Sequence, residues 1–334
     1  MSNETPPNNA GWLSTILNEI DLPKLIAGEA GKSLSRLVGS VLDVPEAWIA
    51  DKAQKIKDQT RAKSLISDAL ANKIADQATS DPEIVSRTMT RWLGEETRKQ
   101  ENREAVARVA IENLSTEGES KSTVPVEDDW LDVLISYAEK ANSENMRDLW
   151  GRVMAGEIRK PGSYSLSTLR FMSELDQETA KVVEDVFSRV HSGFMLFFLD
   201  EYRRGVWLSK NTLLESKGLL FGAEGNRTNK MTIQSNGNLF LTHRKHAIVL
   251  NGSANTELNL PSITLSNMGR EVLTLLKLED DIEYAKVLSK KIDKENLNSV
   301  TWTEYEKVEN RLFAIGSPVK LWEKPASPEN GATH

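Results

Sequence analysis

Cysteine is absent from the 334 residues of this chain. That removes disulfides, thiolate nucleophiles and Cys-based zinc or iron–sulfur sites in one step, and it suits a reducing cytoplasm. Histidine is nearly as scarce, with only His191, His243, His246 and His334. None belongs to an HExxH motif, and no carboxylate–histidine grouping has ligand spacing, so no metal site is expected. On a strand, the spacing of His243 and His246 would place them on opposite faces. No uncharged apolar run reaches the ~18 residues needed to span a bilayer. The first residues, MSNETPPNNAGW, lack a basic stretch followed by an apolar one. A soluble, cytoplasmic protein is the expectation.

Catalytic signatures are missing too. No GxxxxGK[ST] occurs, no GxGxxG follows a strand, and no GxSxG elbow pairs a serine with a histidine. The glycines of GAEGNR (222–227) precede a hairpin signal rather than open a helix, so a loop accounts for them. These absences lead to the expectation of a non-enzyme without cofactors. The formal net charge of -7 argues against a global electrostatic grip on nucleic acid or an anionic membrane.

What is present is mostly packing pattern. Hydrophobic residues make up 39% of the chain and charged ones 27%, enough for real cores beneath a polar surface. Residues 1–11 and 323–334 read as disordered tails. Residues 12–114 read as an N-terminal helical region. Within it Ala27, Gly31, Ser35 and Gly39 recur every fourth position beside Ile26, Leu34, Leu37, Val38, Val41 and Leu42. That spacing suits close helix packing in the protein's own core or in an oligomer, with peripheral membrane contact through residues 12–48 as the alternative. Interleaved acidic and basic residues such as EETRKQENREAVARV predict solvated helix faces.

Residues 115–127 read as a linker, and 128–195 as a central helical core. Leu131, Leu134, Ile135 and Ala138 form one stripe; Met146, Leu149, Trp150, Val153 and Met154 form another. Ser143, Ser165 or Ser167, and Asp176 are the predicted N-caps, and Pro161-Gly162 the predicted break. Glu157, Glu174 and Asp176 are the carboxylates nearest this corner. Paired acids can do acid/base chemistry, but capping and surface pairing account for them.

Residues 196–322 read as a winged-helix-like α+β module. A short helix (207–220) is followed by β-rich segments at 230–234 and 239–250 that flank Ser-Asn-Gly-Asn, then a helix capped by Ser266. The fold class expected is therefore mainly α: multi-helical N-terminal and central regions with an α+β winged-helix-like C-terminal module. That module also carries a local basic excess. Arg203, Arg204, Lys210, Arg227, Lys230, His243, Arg244 and Lys245 are the candidate nucleic-acid-binding residues, because phosphate contacts need clustered cations.

The segment WLDVLISYAEKANSENMRDLWGRVMAGEIRKPGSYSLSTLRFMSELDQETA resembles the core of an uncharacterised bacterial family, domain of unknown function 2806. Its most specific positions are Trp150, Gly156, Glu157, Pro161, Gly162 and Ser165. No reaction comes with that resemblance. A fainter similarity of pattern links the small-residue helix and the Leu-Ser-x-x-Gly helix to abortive-infection alpha proteins, which implies phage defence. The functional expectation is a binding or regulatory protein with protein partners, including its own copies as a homo-oligomer. A nucleic-acid-binding regulator and a peripheral membrane effector are the alternatives.

Overall fold

The computed structural model describes residues 28–39, 82–116, 124–196, 204–225, 227–309 and 311–325. The two expected tails (apart from residues 323–325), most of residues 12–81, positions 117–123 of the expected linker and Arg203 lie outside the described residues. The chain divides into two compact units, Met1–Leu169 and Arg170–His334.

The first unit is helical. Its described elements are α1 (Glu29–Val38), α2 (Pro82–Thr116), α3 (Asp128–Ala138) and α4 (Glu144–Arg159), and α5 (Leu166–Ser173) straddles the division. Each forms where apolar residues recur at helical spacing, and each predicted cap is made. Ser143 Oγ accepts from Met146 N at 3.3 Å, and Ser165 Oγ from Thr168 N at 3.3 Å. Leu34, Leu37, Val106, Ala110, Ile111, Leu114, Leu131, Leu134, Trp150, Val153 and Met154 meet in one core. The small-residue stretch supplies α1, whose Gly31, Ser33, Leu34, Leu37 and Val38 are buried within the protein. At the α2–α4 crossing Gly151 lies so close to α2 that a Cβ there would stand 2.4 Å from Val109 Cβ. Among the described residues no helix is long and apolar enough to cross a membrane.

The second unit overturns the expectation of a mainly α protein. Helix accounts for 51% and strand for 24% of the described residues, with two antiparallel sheets in the C-terminal half. Its elements are α6 (Gln177–Phe187), β1 (Val190–His191), β2 (Phe194–Leu196), α7 (Gly205–Ser216), β3 (Leu220–Phe221), β4 (Thr228–Thr232), β5 (Asn238–Thr242), β6 (His246–Gly252), β7 (Glu257–Leu265), α8 (Asn267–Leu275), α9 (Ile282–Lys291), β8 (Leu297–Val308) and β9 (Arg311–Glu323). One sheet has the order β1-β2-β7-β3, with β4 also paired to β7; the other runs β5-β6-β8-β9.

The winged-helix reading fails at its wing. Ser-Asn-Gly-Asn does not join a hairpin: β4 pairs with β7, while β5 pairs with β6. The turn signal was genuine, since Gly237 has φ 78° and its N–H reaches Gln234 O. It carries the chain from one sheet to the other instead. The hairpin lies one element later, closed by His243 N–H to His246 O at 2.9 Å. The long strands β8 and β9 form a hairpin, and β8 also pairs with β6, a partner distant in sequence that local patterning does not encode.

Candidate functional site

An open cleft of about 630 Å³ lies in the second unit, lined by Val190, Ser192, Gly193, Thr242, His243, Arg244, Arg270, Leu273 and Thr274. That is within the range of small-molecule sites. Three elements build it: the β1–β2 turn, the β5–β6 turn and α8.

The β1–β2 turn has two residues, Ser192 and Gly193, both with positive φ (51° and 82°), as a tight antiparallel hairpin requires. For serine this conformation is costly, on the order of 1 kcal/mol. Its hydrogen bonds hold it there. Ser192 N–H donates to Thr242 O at 2.7 Å, and Ser192 Oγ accepts from Thr242 N at 2.9 Å. Those bonds join a strand end of one sheet to a strand end of the other.

The β5–β6 turn is His243-Arg244-Lys245-His246, the tetrapeptide that most resembles a phosphate-contact motif. The fold engages nearly all of it. His243 Nδ1 donates to Val190 O at 2.8 Å. Arg244 Nη2 donates to Leu273 O at 3.1 Å and to Leu276 O, carbonyls at the C-terminal end of α8, where a cation also suits the helix dipole. Asp280, which sequence reasoning missed, receives Arg244 N–H at 3.2 Å, Lys245 N–H at 3.1 Å and His246 Nδ1 at 2.9 Å. Burial pushes the Asp280 pKa up, but those three hydrogen bonds outweigh it and hold the carboxyl below its ordinary range. Burial in turn lowers the Arg244 pKa, opposed by Asp280. The His246 ring also stacks on Trp302 at 5.1 Å. Only the Lys245 side chain remains outward.

Beneath His243 lies His191, its ring centroid 5.0 Å away and its side chain 2% exposed. Its Nδ1 faces Arg189 O at 3.3 Å. Burial, and then the neighbouring His243, push the His191 pKa down to about 4, so it is neutral at pH 7. The Nε2 atoms of both rings are buried without a hydrogen-bond partner. Two imidazoles with Nδ1 held by main-chain carbonyls have the outer support that metal-bound histidines use. Yet among the described residues no group of three or more His, Asp or Glu is placed to hold an ion.

α8 supplies the third wall. Ser266 caps it, accepting from Gly269 N at 2.9 Å. Gly269 is required, because a Cβ there would lie 2.2 Å from Leu219 O. One residue on, Arg270 is exposed and rises beside the turn, so that a Cβ on Gly193 would meet its Nε at 3.4 Å. Among the described residues its guanidinium has no ionic or hydrogen-bonding partner.

The other basic candidates lie elsewhere in this unit. Lys210, on α7, is paired with Asp185 and lies 4.7 Å over the Trp207 ring. Lys230, on β4, pairs with Glu257 at 3.6 Å. Arg227 packs against Gly222 and over Phe221, while Arg204 is exposed at the N-cap of α7. Of the predicted set, the cleft holds only His243 and Arg244.

The corner at 150–165, in the first unit, has a different character. Trp150 is buried and stacks on Tyr137 at 5.4 Å. Gly156 lies under the Tyr164 ring, 2.7 Å from where its Cβ would be. The buried Glu157 carboxylate accepts from Gly162 N at 2.5 Å and Tyr164 N at 3.0 Å, while Trp130 Nε1 donates to Tyr164 O at 2.7 Å. Pro161 ends the helix and Gly162 turns with φ 83°. These are the parts of a rigid corner, with Glu157 as its clamp.

No curated protein and no solved structure matches the chain. The model of a family described as "Protein of unknown function (DUF2806)" matches residues 86–289, which takes in both this corner and the cleft. With more than half of its length matched, the chain belongs to the DUF2806 family.

Proposed function

We propose that this is a non-enzymatic binding protein whose second unit takes a ligand bearing a compact anion, a carboxylate or phosphate, in the cleft beside Arg270. The carrying observation is the Arg270 guanidinium, without a partner among the described residues and set above the Ser192–Gly193 turn in a cleft also lined by Ser192, Thr242 and Thr274. A planar fork of donors matches an oxyanion. A non-catalytic role is supported by how the reactive groups are engaged. Ser192 Oγ is bound to main chain, His243 is backed by a carbonyl rather than a carboxylate, and the Asp280 beside His246 already holds two main-chain N–H groups. An activated nucleophile needs a base free to take its proton. A ligand-responsive binding protein also fits a regulatory role, including the one in phage defence that the pattern similarity implies.

Calorimetric titration of the full chain at low salt, with inorganic phosphate, a dicarboxylate, a nucleoside monophosphate and a duplex oligonucleotide, tests this. Saturable binding of a small anion is expected, lost in Arg270→Ala and kept in Lys245→Ala. No binding of any small anion, or binding indifferent to Arg270→Ala, overturns the proposal. Salt-sensitive oligonucleotide binding that needs Lys245 would favour the nucleic-acid alternative, and turnover of a bound ligand would end the non-enzymatic reading.

A further inference from the structure

We infer that β9 is a self-association edge, which pairs antiparallel with β9 of a second copy of this chain across residues 311–315. Within its sheet, β9 pairs with β8 on one side and, among the described residues, with no strand on the other. β6 pairs with β8 only as far as Glu304, so residues 305–308 of β8 and 311–314 of β9 extend beyond it as a two-stranded ribbon. A bare ribbon of this kind is marginal alone, and an unprotected edge is a template for another strand.

The ribbon's two faces differ. Tyr305 and Leu312 turn toward the sheet and pack on Phe240, Ala247 and Val249. The opposite face carries the pairs Glu304–Ile315, Glu306–Phe313 and Val308–Arg311. There Val308, Phe313 and Ile315 are 48%, 48% and 40% exposed, three large apolar side chains in one contiguous stripe. Neither Arg311 nor Glu306 has an ion-pair partner among the described residues.

A second copy satisfies this face, because the pattern is complementary to itself under a two-fold axis through Phe313. The stripe then continues from one ribbon to the other, with Phe313 opposite the partner's Phe313, a favourable cross-strand pair. The partner's Arg311 falls beside Ile315, one strand from Glu304, whose contact with His246 is long at 3.9 Å, and diagonal to Glu306, so the unpaired cation meets two acids. The segment is also bounded. Gly316 has φ 70° and Pro318 has no N–H to donate, so regular pairing stops after Ile315. A short symmetric pairing suits this edge better than insertion of a long foreign strand.

Sedimentation of the full chain from low to high micromolar concentration should show a monomer–dimer equilibrium. Phe313→Lys and Ile315→Lys should each shift it to monomer, while Val287→Lys, on the exposed side of α9, leaves it unchanged. Arg311→Glu should weaken the dimer at least tenfold, and adding Glu304→Arg should restore it, which generic stickiness would not do. Because the chain has no cysteine, Phe313→Cys provides an independent reading. Mild oxidation should link that variant across the two-fold and leave Val287→Cys monomeric. A wild-type chain that stays monomeric at high concentration, or a dimer indifferent to Phe313→Lys and to the charge exchange, overturns the inference.

Discussion

The corner of the first unit and the cleft of the second are both marked by conspicuous sequence, and they differ in how their polar groups end. At the corner, Glu157, Trp130, Tyr164 and Gly162 are joined to one another, and Gly151 and Gly156 exist to let helix and ring approach. At the cleft, among the described residues, the Arg270 guanidinium has no partner, and the Nε2 atoms of His243 and of His191 beneath it are buried unpaired. Buried polar groups are nearly always satisfied in proteins, so the two buried Nε2 atoms stand out, whereas Arg270 is exposed and offers a ligand a solvated cation rather than an unsatisfied buried one.

The largest way to test the architectural side is Gly151→Val. Its side chain would be driven into Val109 and Val106 O, and the loss should reach about 3 kcal/mol or more. Hydrogen exchange of main-chain amides should locate that loss in α2 and α4. A variant that kept wild-type protection there would show the α2–α4 approach to be looser than described.

The second test concerns pH. His191 has a folded pKa of about 4, below its ordinary 6.5. The unfolded chain therefore binds more protons between those values, and stability is full above pH 6.5 and declines as pH falls toward 4. The span is worth about 3 kcal/mol. The decline should be confined to the second unit and should flatten in His191→Phe. An unchanged slope in that variant would place the proton uptake elsewhere.

Third comes Glu157→Ala, which leaves the Gly162 and Tyr164 N–H groups without their acceptor. A cost of about 2 kcal/mol is expected, with α4 and α5 losing exchange protection and the cleft unaffected. Loss of ligand binding without loss of stability would move Glu157 from clamp to site. The smallest effect on stability should be Arg270→Ala, within about 0.5 kcal/mol, because its side chain is exposed and unpartnered. A large destabilisation would reveal a structural partner and remove the basis of the proposed anion site.

Local signals were legible. Ser143, Ser165, Asp176 and Ser266 cap the helices they were expected to cap, because a cap acts through neighbours three residues away. The Ser-Asn-Gly-Asn turn was legible as a turn but not as a switch between sheets. The cleft was not legible. Arg244 and Lys245 drew attention as adjacent cations, whereas Arg270 stood alone in an ordinary amphipathic helix and Asp280 in a loop.

From the sequence alone came the absence of thiol chemistry, which rests on composition, and the helical corner, its caps and the family resemblance, which rest on spacings within a few turns of chain. Tertiary structure decided that β4 leaves its neighbour for β7 and that β6 pairs with the distant β8. It also decided that His191 lies under His243, that Arg244 closes α8, and that Arg270 has no partner among the described residues. The physical reason is that strand pairing and desolvation are settled by partners brought together from far along the chain. A residue's availability for function is what remains once those partners have been taken.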